Sequence, residues 1–261
     1  MMNASVNPSL LEQYIHNFFG YGNLEGKYWF IGMEEGGGNS AAEIQSRISG
    51  WEKAGNTTLL DIYKFHKRIR HYDGNTVSKW FNGKRSKYQP TWGGLIKTLL
   101  SAQHGELPSL EAVKRFQSRE WGRHDSNNAL LEVFPLPSPD SGQFLYADWN
   151  LETLPYLSSR AAYKQAVKTT RINKLKTLMK QYRPEVVHFY SSNPEYLEYW
   201  SAISGIDFNR VNNQVISQTS NKQLVAKIAK LEHTVFVVTH HPAYSGVSDK
   251  YHEGVGKLLR Q

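Results

Sequence analysis

The chain has 261 residues, of which 39% are hydrophobic and 13% aromatic, so it can bury a sizeable core and is not disordered throughout. It contains no cysteine, which excludes disulfides, thiolate nucleophiles, iron–sulfur clusters and cysteine-based zinc sites. Its 31 Lys and Arg residues outnumber 23 Asp and Glu residues, and this net charge of +8 favours a polyanionic partner.

Hydrophobic periodicity and turn residues predict strands that alternate with helices. In chain order, we predict a helix from Asn7-Pro8 to Gly20, a strand at 27–32, helices at 40–49, 91–103 and 109–121, a strand at 128–134, a helix at 158–182, a strand at 185–190, a helix at 193–204, a strand near 211–217, a helix at about 221–231, a strand at 234–239 and a helix at about 249–260. This alternation is typical of a single α/β domain, a three-layer α/β/α sandwich with a four-stranded, mainly parallel sheet and a helical insertion at about 41–127.

The N-terminal residues lack a basic segment followed by an uninterrupted apolar one, and no stretch reaches the ~18 apolar residues that a membrane span needs. We therefore expect a cytoplasmic protein that does not contact a membrane.

Two basic segments carry almost no acid. Residues 64–90 hold eight bases against Asp73, interleaved with Tyr72, Trp80, Phe81, Tyr88 and Trp92. Residues 160–183 hold eight bases and no acid. Such segments can be ordinary solvated helix faces, but bases beside aromatic rings also suit phosphate neutralisation and base stacking. From these segments we expect the following residues to contact a nucleic-acid backbone: Lys84, Arg85, Lys87, Lys164, Lys168 and Arg171.

Residues 32–40 form a glycine-rich turn between the first predicted strand and the next helix. Glycines allow close backbone approach to a ligand, and free N–H groups at a helix start favour an anion. The turn lacks the lysine of a P-loop and the glycine spacing of a dinucleotide fingerprint. It is either a simple connector with solvated glutamates, or it holds a carboxylate that activates a water or binds a cation.

Polar residues also lie at the ends of two other predicted strands. Glu132 is an acid within an apolar strand, so it needs either a ligand or a basic partner such as Arg or Lys. His240 and His241 precede Pro242 after the last strand. Adjacent residues on an extended chain point in opposite directions, so we do not expect this pair to bind a metal. Because the carboxyl ends of parallel strands share one edge, we expect Glu34 and His241 to face the same cleft.

Three segments, FIGMEEGGG, ALLEVFPLPSP and VVTHHPAYSG, together resemble the motifs of the uracil-DNA glycosylase superfamily. The resemblance covers the chain from about Tyr28 to the C-terminus. It implies that Glu34 positions the attacking water and that His241 stabilises the departing base. Tyr244 lies near the position of the side chain that enters the duplex as the nucleotide flips out. Glu132 stands where the uracil-reading Asn is expected, and Glu35 replaces the usual Pro.

The resemblance implies a divergent DNA glycosylase that needs no cofactor, acts as a monomer and prefers DNA to RNA. An ionised Glu132 only accepts hydrogen bonds, so we expect poor uracil release and a preference for donor-rich bases such as guanine. The residues expected to contact the substrate are Gly32, Met33, Glu35, Gly36, Glu132, Phe134, Pro242, Tyr244 and Ser245. Two alternatives remain: an inactive nucleic-acid-binding protein of the same fold, and an unrelated phosphate- or nucleotide-binding α/β protein.

Overall fold

The computed structural model describes residues 6–69, 76–140, 142–219 and 221–260. The described residues form a mixed α/β structure with an eight-stranded sheet in the order β3-β1-β4-β2-β5-β8-β7-β6. The strands are β1 (Gly20–Gly22), β2 (Tyr28–Gly36), β3 (Leu59–Leu60), β4 (Asn128–Ser138), β5 (Val186–Phe189), β6 (Asn213–Thr219), β7 (Lys222–Leu231) and β8 (Thr234–Val238). The expected α/β class is confirmed, whereas the expectation of four strands is wrong.

The helices are α1 (Pro8–Asn17), α2 (Ala41–Lys53), α3 (Ile62–Arg68), α4 (Thr76–Trp80), α5 (Pro90–His104), α6 (Leu110–Arg119), α7 (Arg160–Tyr182), α8 (Pro194–Ser204) and α9 (Asp249–Leu259). Short 3-10 helices cover Gly83–Arg85, Leu145–Trp149 and Pro155–Ser158. Side-chain caps fix several helix starts. For example, the Asn7 side chain accepts from two backbone N–H groups of the first turn of α1, and Ser40 accepts from the N–H of Glu43.

Four of the five predicted strands form the parallel centre of the sheet, β4-β2-β5-β8, and the strand predicted near 211–217 is the edge strand β6. The side chains of the four central strands are apolar on both faces, and Trp29, Ile31, Val187 and Phe189 are fully buried. The strands that the sequence analysis missed or misjudged lie outside this parallel centre. β1 and β3 are only three and two residues long, and β7 is antiparallel to both β6 and β8.

The segment at 222–231 is a strand, so the helix predicted there is wrong. Leu224 and Ala226 alternate with more exposed residues along β7, which places the buried pair on one face. Hydrogen bonding to two neighbouring strands outweighs the helical spacing of the apolar residues.

The strand order creates one topological switch point. The chain passes from β2 to β4 on one side and from β5 to β8 on the other, while β2 and β5 are adjacent. Ligands of open parallel sheets bind beyond the carboxyl ends of strands at such a point. The residues that directly follow β5 and those at the end of β2 therefore define the place to look for function.

Candidate functional site

Glu132 and His241 come together at the carboxyl edge of the sheet through a residue that the sequence analysis missed, Tyr190. The Tyr190 hydroxyl donates to Glu132 Oε1 at 2.7 Å, and its ring centroid lies 6.0 Å from that of His241. Tyr190 directly follows β5, so applying the strand-end rule to every predicted strand would have found it. We call Glu132, Tyr190 and His241 the edge triad.

Gly32 makes room for the contact between Glu132 and Tyr190. It pairs with Glu132 across β2 and β4. A Cβ at Gly32 would lie 2.1 Å from Tyr190 Oη and 2.6 Å from Glu132 Oε2, so any larger residue would push the two groups apart. Gly32 thus contributes space rather than a functional group.

Glu132 has no basic partner for its carboxyl among the described residues. Its Oε2 is inaccessible to solvent and makes no hydrogen bond there, although the residue as a whole is partly exposed. Burial, with a smaller contribution from the charges of Glu35 and Glu34, raises the pKa of Glu132 to about 8 despite the lowering effects of the Tyr190 hydrogen bond and the Arg171 charge. At pH 7 about nine-tenths of the carboxyl is protonated. The ionised form assumed from the sequence is therefore the minor form.

His241 is arranged as a neutral hydrogen-bond donor. Its Nδ1 accepts from the backbone N–H of Ala243 at 3.1 Å, which leaves the ring proton on Nε2. Burial lowers the pKa of His241, so the ring is neutral at pH 7. The next residue, Pro242, packs against Gly94 of α5, where a Cβ would lie 2.8 Å from Pro242 Cβ.

The neighbouring His240 holds the turn in place. Its Nδ1 lies 2.7 Å from Ser192 Oγ, and its ring stacks on Tyr244 at 4.8 Å. Tyr244 is 43% exposed, with Lys222 Nζ 3.8 Å from its ring centroid, and Ser245 is also exposed. Tyr244 is therefore available for contact with a large partner.

Glu34, expected to position a water, is held in a double ion pair. Its Oε2 bonds the Arg160 guanidinium, and its Oε1 lies 3.0 Å from Lys164 Nζ. Lys164, expected to bind phosphate, thus contacts Glu34 in this structure.

Glu35 belongs to a buried network on another side of β2. Its carboxylate accepts from the Tyr21 hydroxyl at 2.9 Å and from Arg47 at 3.1 Å. Arg47 also bonds Glu43, whose oxygens accept from the N–H groups of Gly38 and Asn39. These glycine-turn N–H groups are therefore paired with a carboxylate, and the expectation that they are free for an anion is wrong.

Two further residues expected to contact substrate are buried. Phe134 is 0% exposed, with its ring centroid 6.1 Å from that of Tyr199 and 5.8 Å from that of Tyr163. Met33 is also buried, whereas Gly36 is exposed. Phe134 and Met33 pack in the core next to the site and are not accessible to a ligand.

The expectation that Arg171 binds phosphate is wrong. Arg171 is 0% exposed and donates to four backbone carbonyls, those of Ile15, Phe18, Glu132 and Val133. Its role is to tie α7 to α1 and β4.

The other bases expected on a nucleic-acid backbone remain reachable. Arg85 and Lys87 are exposed, Lys168 is partly exposed, and Lys84 is exposed in an ion pair with Glu111. Arg70, Tyr72 and Asp73 lie outside the described residues. In the same part of the chain, the ring of Trp92 packs against those of Trp80 and Phe81, with centroid distances of 6.2 and 6.0 Å.

Within the described ranges, no group of three or more His, Asp or Glu residues could hold a metal ion. No helix of that part of the chain has the length and apolar character to cross a bilayer. A comparison with protein-family models finds no match. A search of curated proteins likewise finds none.

Proposed function

We propose that the protein hydrolyses the N-glycosidic bond of a base in nucleic acid, as a divergent relative of the uracil-DNA glycosylases with a three-layer α/β/α core. The observation that carries the proposal is the edge triad. It places a protonated carboxyl and a neutral imidazole at the switch point of a parallel sheet, where ligands of such sheets bind.

Glu132 is the base-reading group in this proposal. Since Tyr190 donates to Oε1, we place the proton of the neutral acid on Oε2, which is inaccessible to solvent in the free protein, so base reading requires the Glu132 side chain to turn towards the ligand. The acid then offers one donor, and Oε1 retains a lone pair, which together match the donor and acceptor of a side-chain amide. A base edge with adjacent carbonyl and N–H groups fits the neutral acid. Donor-rich edges fit the ionised form, which predominates only above about pH 8.

His241 supports the leaving base. Cleavage forms a bond from a water oxygen to the anomeric carbon, while the base departs with the electron pair of the glycosidic bond. The Nε2–H of neutral His241 can donate to the oxygen on which negative charge develops. Glu34 would accept the proton of the water and stabilise the oxocarbenium-like sugar, once it is released from its cations.

A second candidate function is binding of nucleic acid without cleavage. It is favoured by the double ion pair of Glu34, because a carboxylate held by Arg160 and Lys164 is not free to activate a water. The edge triad would then recognise a nucleobase, and the exposed Lys and Arg side chains near residues 84–87 would supply affinity.

A base-release screen separates the two functions. Single- and double-stranded oligonucleotides with normal and damaged bases are incubated with the native protein, and free base is detected by chromatography. We expect release of at least one base, reduced about 100-fold or more in His241→Asn, since the lost donor acts mainly in the transition state. His104→Asn is the matched control, because His104 is exposed at the end of α5. Binding without release by the native protein would favour the second function.

A further inference from the structure

The carboxylate of Glu34 forms ion pairs with two cationic side chains and does not fully neutralise their charge. Arg160 and Lys164 lie one helical turn apart on α7, and both approach Glu34. The side chains of Arg160, Lys164 and Glu34 are 17%, 18% and 16% exposed, so they are partly buried but still reach solvent at the carboxyl edge of the sheet. Two cations against one carboxylate leave one positive charge.

The two cations differ in how firmly they are held. Arg160 also donates to Ser138 Oγ at 2.6 Å, to the carbonyl of Asp140 at 2.7 Å and to that of Gln143. It is thus fixed to the loop that follows β4. Lys164 has Glu34 as its one recorded anionic partner in the described part of the chain, and its Nζ otherwise lies 5.3 Å from the centroid of the Phe134 ring. An ammonium group has three N–H donors, so Lys164 can bind a second anion or exchange the first.

We propose that Arg160 and Lys164 form a phosphate site that Glu34 closes in the free protein. The inference rests on the proposed function and names the side chains that hold a phosphate of its substrate and the carboxylate that this phosphate displaces. A phosphate next to the sugar competes with the Glu34 carboxylate for Lys164. The displaced carboxylate is then free to accept a proton from the attacking water. Binding of the substrate phosphate therefore also frees the Glu34 carboxylate to act as the general base.

The test is to measure the binding of inorganic phosphate by calorimetry at low ionic strength and pH 7. Removing the competing charge in Glu34→Gln should tighten phosphate binding about 5-fold or more. Removing the cation in Lys164→Gln should weaken it about 10-fold or more. Lys176→Gln removes the same charge from an exposed position of α7 about 18 Å further along the helix, and should change the affinity less than about 2-fold.

Opposite effects of Glu34→Gln and Lys164→Gln are what distinguish a closed site from a structural ion pair. If Glu34→Gln weakens phosphate binding or leaves it unchanged, Glu34 does not compete with phosphate and the inference is overturned. The same holds if neither the native protein nor Glu34→Gln binds phosphate. Thermal melting confirms that each variant is folded, and Lys164→Arg, which keeps the charge, should retain binding.

A second arm tests the substrate class. The native protein should bind a deoxynucleoside 5′-monophosphate about 10-fold or more tightly than the deoxynucleoside, and Lys164→Gln should abolish the difference. Equal affinity for the two ligands overturns the inference. Both arms measure binding alone, so they remain decisive if no base is ever released and the hydrolase function fails.

Discussion

Replacing Glu132 by Gln should destabilise the folded protein at low pH and stabilise it at high pH, relative to the native protein. Gln keeps the shape of the neutral acid and keeps an acceptor for Tyr190, but it cannot ionise. The native carboxyl has a pKa of about 8 when folded and 4.5 as the ordinary value. A raised pKa means that stability is fully present below about pH 4.5 and is lost as the pH rises through 8.

The difference of 3.5 pKa units corresponds to at most about 5 kcal/mol, since one unit is about 1.4 kcal/mol. Partial exposure of Glu132 reduces this figure, and we expect a native loss of about 2 to 4 kcal/mol between pH 5 and 9. At pH 5 the variant should be less stable than the native protein by about 1 kcal/mol, because its amide has two unpaired N–H donors where the neutral acid has one unpaired O–H. At pH 9 it should be the more stable of the two.

Urea unfolding followed by circular dichroism from pH 5 to 9 measures this difference. Titrations shared by both proteins cancel when the free energies of unfolding are subtracted. Glu52→Gln, at an exposed position of α2, is the control for the loss of a carboxyl group elsewhere in the protein. If the difference between native and Glu132→Gln is also independent of pH, Glu132 is ionised in the folded protein and the base-reading argument is wrong.

Three further predictions concern basic residues, of which two are buried and one is exposed. Burial lowers the pKa of His188 to about 3, so native stability should fall as the pH drops from 6.5 towards 4, and His188→Gln should flatten that slope in acid-unfolding curves. Arg171→Met leaves four carbonyls without their donor and should cost about 3 to 5 kcal/mol in urea unfolding, and Arg171→Lys should not restore the loss. Oligonucleotide affinity should fall steeply with salt, and Lys87→Gln should reduce the slope of log K against log salt by about 0.7 to 0.9 in gel-shift titrations, whereas an unchanged slope would remove Lys87 from the backbone contacts.

The central sheet could be predicted because its strands are continuous apolar runs between turn residues. The strands β1, β3 and β7 outside that centre could not, because β1 and β3 are too short to show a pattern and β7 has the spacing of both a strand and a helix. What decides β7 is hydrogen bonding to β6 and β8, which depends on residues outside the segment.

The sequence shows which segments carry polar groups at the strand ends, but the partners of these groups depend on distant residues. The glycine-turn N–H groups are paired by Glu43, and Glu34 is paired from α7, so neither group is free. The burial of Arg171 was readable from the sequence. It lies four residues from both Val167 and Leu175, on the apolar face of α7.

The most direct test of the account is the pH dependence of base release in single turnover, for the base that the native protein releases fastest at pH 7. The account predicts a rate that falls above about pH 8 as Glu132 ionises, and a profile without that fall in Glu132→Gln. A complete absence of base release from every oligonucleotide, or a fall above pH 8 that persists in Glu132→Gln, would contradict it.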